Sequence, residues 1–166
     1  GARHSYGLKY NGAIVAWGSN ADGQGDVPAA VSGYAAVASG EYFGLGLRND
    51  GSLAVWGRDA ENLLPSPNQE FKSVATAGYY SLALDRTGSI KAWGLAKANL
   101  ISVPQPNKDY VAVSAGNFHA IGLKSDGSLA AFGTNDFGQG NLPTTNTGFL
   151  AIAAGSFHTL ALPNDG

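Results

Sequence analysis

The chain has no cysteine. There is therefore no disulfide framework and no thiolate metal site, and this absence fits reducing and oxidising compartments alike. Charge is scarce too, with 13% of residues charged against 44% hydrophobic, the balance of a folded, core-rich protein rather than a disordered one. The ten basic residues are spread from Arg3 to Lys124 without a run, and the formal charge is −2. Nucleic acid is not an expected partner, because phosphate binding needs clustered Lys and Arg. No apolar run approaches the roughly 20 residues that span a bilayer, so membrane insertion is not expected. An N-terminal signal-like segment is lacking and the first residue is Gly rather than Met, which reads as a trimmed or mature sequence. At 166 residues the chain suits one good domain.

Glycine, by contrast, is abundant. Its 24 copies are about twice the usual ~7% and signal many tight turns. They accompany a phrase written four times: GAIVAWG (12–18), GSLAVWG (51–57), GSIKAWG (88–94) and GSLAAFG (127–133). The aromatics Trp17, Trp56, Trp93 and Phe132 stand 39, 37 and 39 residues apart. Eleven residues before each lies a second column, Tyr6, Leu45, Leu82 and Ile121, with Leu160 as a fifth member. A third column follows at Val37, Val74, Val113 and Ile152. Three columns holding fixed offsets define a repeat of about 38 residues, with units near 1–36, 37–73, 74–112 and 113–151 and a partial fifth at 152–166.

Within a unit the pattern is β. The apolar runs GYAAVASG and YFGLGL are followed by Asn49-Asp50-Gly51 and then SLAVWG, and an Asp-Gly pair between apolar runs predicts a hairpin. Equivalent turns are expected at Asn11-Gly12, Thr87-Gly88 and Asp126-Gly127. In SLAVWG, Leu53 and Val55 point one way and Ala54 and Trp56 the other. A strand apolar on both faces is covered on both, as a blade is between its neighbours. Each aromatic-Gly leads into a polar loop, SNADGQGDVP (19–28) or TNDFGQGNLP (134–143) in two units, and a Pro follows at 28, 65, 104 and 143. A helix over 95–102 would be short enough to be marginal. Short strands, one Gly/aromatic signature per unit and this period predict an all-β fold, a β-propeller.

The stretch AGNFHAIGLKSDGSLAAFGTNDFGQGNLP (115–143) resembles the RCC1-like repeat family: Ala-Gly, two variable residues, His, an apolar alternation, Asp-Gly, aromatic-Gly and Asn-x-x-Gly-Gln before a Pro. The compact bacterial type, as in β-lactamase inhibitory protein II, is the nearest form, and the resemblance covers essentially the whole chain. It implies a propeller that usually closes with about seven blades. Function is left wide, since propellers of this family serve as exchange factors, inhibitors, scaffolds and adhesins. Gly1–His4 aligns with Gly116–His119 and GSFHTLALPNDG (155–166) with GARHSYGLKYNG (1–12), so the chain carries four units plus one duplicated strand and turn. Three arrangements fit: a piece of a longer propeller, a half-ring whose open edges pair with another copy, or a small four-bladed ring with one displaced segment.

Candidate site residues fall in columns. His4, His119 and His158 share one, and the repeat itself explains them as structural; equivalent positions one blade apart are too far separated to share a metal. The preceding column reads Arg3, Tyr42, Tyr79, Phe118 and Phe157. It either packs between blades or forms an aromatic arc that grips a partner, as aromatic anchors do in binding hot spots. The loop residues Asn20, Asp22, Gln24 and Asp26, with Asn135, Asp136, Gln139 and Asn141, offer oxygen ligands for calcium or a sugar. The spacing fits no EF-hand, and turn residues bonding their own backbone account for them more simply. No catalytic triad or phosphate-binding Gly loop is present, and no cofactor or metal is expected. The resulting expectation is a non-catalytic module, bacterial and secreted or surface-bound, that presents loops and an aromatic arc to a protein partner. The alternatives are a carbohydrate-binding propeller and a structural repeat of a large surface or filament protein that self-associates through open edges.

Overall fold

The four Gly-containing turns all close hairpins. Gly12, Gly51, Gly88 and Gly127 have φ between 78° and 85°, the left-handed region that an L side chain seldom enters. In three of them the preceding carboxylate secures the turn. Asp50 Oδ1 accepts from the Ser52 amide at 2.9 Å, Asp85 Oδ1 from the Thr87 amide at 2.9 Å and Asp126 Oδ1 from the Ser128 amide at 2.9 Å. Hydrogen bonding holds each carboxyl below the ordinary range: the Ser52 and Ser128 hydroxyls are the largest cause at Asp50 and Asp126, and at Asp85, where burial pulls upward, the bonds from Thr87 and Ser89 together outweigh it.

Thirteen strands result in the computed structural model, which describes residues 1–30, 33–58, 64–78, 80–94 and 101–164. They are β1 (His4–Leu8), β2 (Ile14–Gly18), β3 (Tyr34–Ser39), β4 (Phe43–Arg48), β5 (Leu53–Gly57), β6 (Phe71–Ala77) and β7 (Tyr80–Asp85). There follow β8 (Ile90–Gly94), β9 (Tyr110–Ala115), β10 (His119–Lys124), β11 (Leu129–Gly133), β12 (Phe149–Ala154) and β13 (Thr159–Pro163). All pairings are antiparallel. Three sheets have three strands, β3-β4-β5, β6-β7-β8 and β9-β10-β11, while β1-β2 at one end and β12-β13 at the other have two. The units counted from the Val37 column thus begin inside β3, β6, β9 and β12. Of the 95–102 stretch, residues 95–100 lie outside the described part, and Ile101 and Ser102 form no strand or helix.

The sheets pack face to face in chain order. Their first strands touch in succession, β3 on β6, β6 on β9 and β9 on β12, so these strands line the inner side and the third strands splay outward. Every first strand carries a β-bulge at the same place, seen as a register shift between Tyr34 and Ala36, Phe71 and Ser73, and Phe149 and Ala151, and in β9 as the skip of Val111 between Tyr110, opposite Lys124, and Ala112, opposite Leu123. The extra residue is ejected from the ladder. This explains why Val111 and Leu150, apolar members of that column, are exposed.

Each interface between sheets is its own small core. Leu45, Leu47 and Leu53 of the second sheet seat Phe71, Val74 and Trp93 of the third. Tyr80, Leu82, Leu84 and Ile90 of the third meet Tyr110, Val113 and Phe132 of the fourth. Ile121, Leu123 and Leu129 then meet Phe149 and Ile152 of the fifth. Each three-stranded sheet thus presents a largely Leu and Ile face to the next sheet and an aromatic face to the one before, while the first sheet meets Tyr34 and Trp56 of the second with Tyr6 and Ile14.

Candidate functional site

The His column is built into the sheet interfaces. His4 and His119 are buried, at 4% and 1% exposure, and burial holds both imidazoles below their ordinary pKa. His119 Nε2 lies 3.1 Å from Thr159 Oγ1 of the fifth sheet. Tyr80 stands in the same column of the third sheet and uses its hydroxyl alike, donating to the carbonyls of Gly116 at 2.7 Å and His119 at 2.6 Å. His158, at the end of the series, is exposed. Among the described residues no group of three or more His, Cys, Asp or Glu side chains converges as a metal site.

The aromatic-Gly column divides by neighbour. Trp56 is 3% exposed, edge-on to Tyr6 and Tyr34, and its indole N–H donates to Tyr6 Oη and to the Gln24 carbonyl, each at 3.0 Å. The Tyr6 hydroxyl also donates to that carbonyl, and burial pushes its pKa up to about 12. Phe132 is buried, and Trp93 is partly buried against the Leu45 cluster. Trp17, with no sheet before it, is 58% exposed.

The loop oxygens are largely spent at home. Asn20 Oδ1 accepts from the Gly25 amide at 2.6 Å, and Asn20 Nδ2 donates to Asp26 at 2.9 Å. Gln24 is buried and its Oε1 accepts from the Asp22 amide at 2.7 Å. The fourth-unit loop repeats this wiring, with Asn135 Oδ1 on the Gly140 amide, Asn135 Nδ2 on Asn141 and Gln139 Oε1 on the Phe137 amide. The shared arrangement is a loop staple. Asp22 keeps an outward role, accepting from Arg58 Nε at 2.9 Å. Asp136 is exposed.

In the column that precedes the histidines, Arg3, Phe118 and Phe157 are exposed and Tyr42 is half-buried. Phe118 and Phe157, each 46% exposed, lie 6.4 Å apart between ring centroids. Phe137, 73% exposed, meets Phe157 edge-on at 5.3 Å. Further along, the Arg58 guanidinium sits 4.2 Å over the Tyr42 ring while paired with Asp22. Arg3 is exposed and Tyr79 lies outside the described residues. One side of the molecule therefore carries an aromatic triad and a charged, aromatic-backed cluster. Phe137 and Arg58 escape the column reading because they come from the loops; an aromatic inside the otherwise Asn/Gly-rich loop TNDFGQG is the signal that would find Phe137.

A second set of residues missed in the sequence is structural. Asn107 Oδ1 accepts from the Ile90 amide at 2.8 Å, and its Nδ2 donates to the Ile90 carbonyl at 2.8 Å. Asn68 does the same to Leu53, and Asn146 to Leu129. Each side-chain amide thereby pairs with the outer edge of a third strand. The column is legible as an Asn three residues before Phe71, Tyr110 and Phe149; Val31 stands there in the first unit.

With this geometry in hand, the chain can be compared with known proteins. The family model for the Regulator of chromosome condensation (RCC1) repeat matches residues 1–24 and 110–139. No curated protein matches in sequence. In three dimensions the chain is similar to the CRINKLY WD40 ectodomain of the Arabidopsis thaliana receptor kinase ACR4, with 26% identity, a TM-score of 0.75, and 97% of this chain and 56% of that one covered. It is similar also to yeast RCC1 (Prp20) from a complex with Kap60, with 17% identity, a TM-score of 0.72, and 96% and 51% covered. Prp20p from Saccharomyces cerevisiae, described with its binding to Gsp1p and histones, has 16% identity, a TM-score of 0.73, and 96% and 53% covered. The chain spans about half the length of these proteins. Its fold is all-β and of the RCC1-like propeller type, with the RCC1 repeat itself matched in two stretches.

Proposed function

We propose that the chain is a non-catalytic protein-binding module and that its contact surface is the side bearing Phe118, Phe157, Phe137, Tyr42 and Arg58. The observation carrying this reading is the exposed triad, in which three phenyl rings lie within 6.4 Å of a neighbour in spite of 46%, 46% and 73% exposure. Isolated exposed apolar residues are ordinary, whereas contiguous aromatic ones on a rigid support mark interaction sites. The Arg58–Tyr42–Asp22 cluster, at the equivalent position of the second sheet, adds a polar anchor of the kind enriched in hot spots. Solved proteins of similar fold are described with protein partners, Kap60 in one case and Gsp1p and histones in another, and this supports the same class of partner here. The compact bacterial, inhibitor-like type, working outside the cell or on its surface, is the form this reading favours.

The test is a comparison of the wild-type chain with the Tyr42→Ala/Phe118→Ala double variant on a protein array and a glycan array. Selective protein signals that weaken by more than ~2 kcal/mol in the variant, with an unchanged melting temperature, support the reading. Glycan signals without protein signals replace it with a lectin. Unchanged protein binding with a lowered melting temperature assigns the two rings to the core.

A further inference from the structure

Asn11 holds, in the first hairpin turn, the place that Asp50, Thr87 and Asp126 hold in the next three, each directly before the turn glycine. All four residues are exposed, the later three in sheets that have another sheet on either side, so the exposure belongs to the turn itself. Asn11 Oδ1 accepts from the Ala13 amide at 3.1 Å, the bond that Asp50 Oδ1 and Asp126 Oδ1 make to Ser52 and Ser128 at 2.9 Å. In those two turns the serine hydroxyl adds a second bond, at 2.7 and 2.6 Å, which Ala13 cannot supply. Asn11-Gly12 is also the one Asn-Gly pair in the sequence. Other asparagines are held by both ends of the carboxamide: Asn20 and Asn135 within their loops, and Asn68, Asn107 and Asn146 on a third strand.

We propose that Asn11 is a site of spontaneous covalent modification, converting to an aspartyl residue through a succinimide formed with Gly12. Water or hydroxide takes the proton of the Gly12 amide, and that nitrogen attacks Asn11 Cγ. The Cγ–Nδ2 bond breaks, and Nδ2 leaves as ammonia with a proton returned from water. Water then opens the ring. Cleavage of the new N–Cγ bond gives an ordinary aspartyl residue, and cleavage of the original peptide bond gives an isoaspartyl link. No oxidant or reductant takes part. Glycine favours ring closure, since it has no Cβ to hinder the approach. Against it, the Gly12 amide donates to the Lys9 carbonyl at 2.9 Å, so the reaction waits for local opening of the turn. The two products fit the molecule differently. The aspartyl product reproduces the turns of Asp50 and Asp126 and adds one negative charge. The isoaspartyl product lengthens the main chain before Gly12, where the Lys9 amide donates to the Ala13 carbonyl and the Tyr34 amide to the Gly12 carbonyl, each at 2.8 Å. Arg3 precedes β1 and Asn11 follows it, so this turn and the proposed partner surface lie at opposite ends of the strands and are tested apart.

Peptide mapping by mass spectrometry tests it, with the folded chain held in mildly alkaline buffer beside the free peptide LKYNGAI (residues 8–14) for several half-lives of the peptide. The expected result is amide-to-acid conversion at Asn11 of the folded chain, slower than in the peptide and ahead of every other asparagine. Ion exchange should resolve an acidic species that co-elutes with the Asn11→Asp variant, and an isoaspartyl species whose Lys9 and Tyr34 amides exchange faster with solvent. Asn11→Thr, which takes the residue native to the third turn, should form neither and keep the wild-type circular-dichroism spectrum. An amide still intact at position 11 once the peptide has converted overturns the proposal, because the turn then protects the site. So does earlier conversion at another asparagine, and so does an acidic species that forms equally in Asn11→Thr.

Discussion

The Tyr80 hydroxyl donates to the carbonyl of His119, 39 residues on and one sheet away, at 2.6 Å. Tyr80 occupies the position that His4, His119 and His158 hold in other units, so one column supplies the link between sheets with two different ring types. The two rings differ in how they respond to acid. A phenol stays neutral at every physiological pH, and burial raises the Tyr80 pKa further. An imidazole does not.

Burial depresses the pKa of His4 and His119 in the folded state relative to about 6.5 in the unfolded chain. Between the two values the unfolded chain binds more protons, so stability rises with pH in that window. The contribution is complete above about pH 6.5 and is lost as pH falls below it. The melting temperature should therefore drop as pH is lowered from neutral to about 5, ahead of the carboxylates, whose unfolded values lie near 4. In a His4→Tyr/His119→Tyr double variant this drop should flatten, because the column then behaves as Tyr80 does. An equally steep drop in that variant would place the acid sensitivity elsewhere.

A pair of tryptophans written in the same phrase should behave oppositely. Trp56→Ala removes a buried ring and its two hydrogen bonds, and should cost roughly 3–5 kcal/mol in urea unfolding. Trp17→Ala should change stability by no more than about 0.5 kcal/mol, as exposed substitutions usually do. The fluorescence of Trp17 should be that of a largely wet indole and that of Trp56 a buried one. Equal costs for the two would mean that the ends of the molecule are covered.

How far the sequence foretells this molecule depends on how far each feature is local. The Asp-Gly turns, the alternation in SLAVWG and the aromatic column are set within one unit, and the structure has them: Leu53 and Val55 face the third sheet while Ala54 and Trp56 face the first. The exposure of Trp17 and Leu160 is not local, because it depends on whether another sheet stands beside them. The roles of Gln24 and Asn135 depend on loop closure. As a pattern they offer oxygens to a ligand, and in three dimensions those oxygens are taken by amides two and five residues away. Phe137 and Arg58 come beside Phe157 and Tyr42 through loop closure, which no spacing within one unit encodes.

The Asn clamps predict a uniform effect at three sites. Asn107→Ala leaves the Ile90 amide and carbonyl without the partners now at 2.8 Å. Leaving part-buried backbone groups unpaired should cost about 1–3 kcal/mol, and Asn68→Ala and Asn146→Ala should cost similar amounts. Hydrogen exchange is the sharper measurement. The Ile90 amide should exchange faster in the Asn107 variant, with the amides of β7 unchanged. Protection retained at Ile90 would show that the edge of β8 is covered by something other than this side chain.

The residue preceding each first strand supplies the last prediction. Gly33 and Gly148 have φ of 72° and 75°, and in the other two three-stranded units the same position is filled by Glu70 and Asp109, each at φ 67°. An L residue with a Cβ bears a left-handed penalty of roughly 1–2 kcal/mol that glycine escapes. Glycine loses more backbone freedom on folding, which offsets part of the gain by about 0.5–1 kcal/mol. Glu70→Gly and Asp109→Gly should therefore each stabilise the chain modestly, by about 0.5–1 kcal/mol in denaturant unfolding. Gly148→Ala should do the reverse, since it imposes the same backbone on a side chain and crowds Asn164, whose Oδ1 lies 3.1 Å from where the methyl would stand. Destabilisation by Glu70→Gly would mean that the glutamate side chain contributes more than its backbone strain removes.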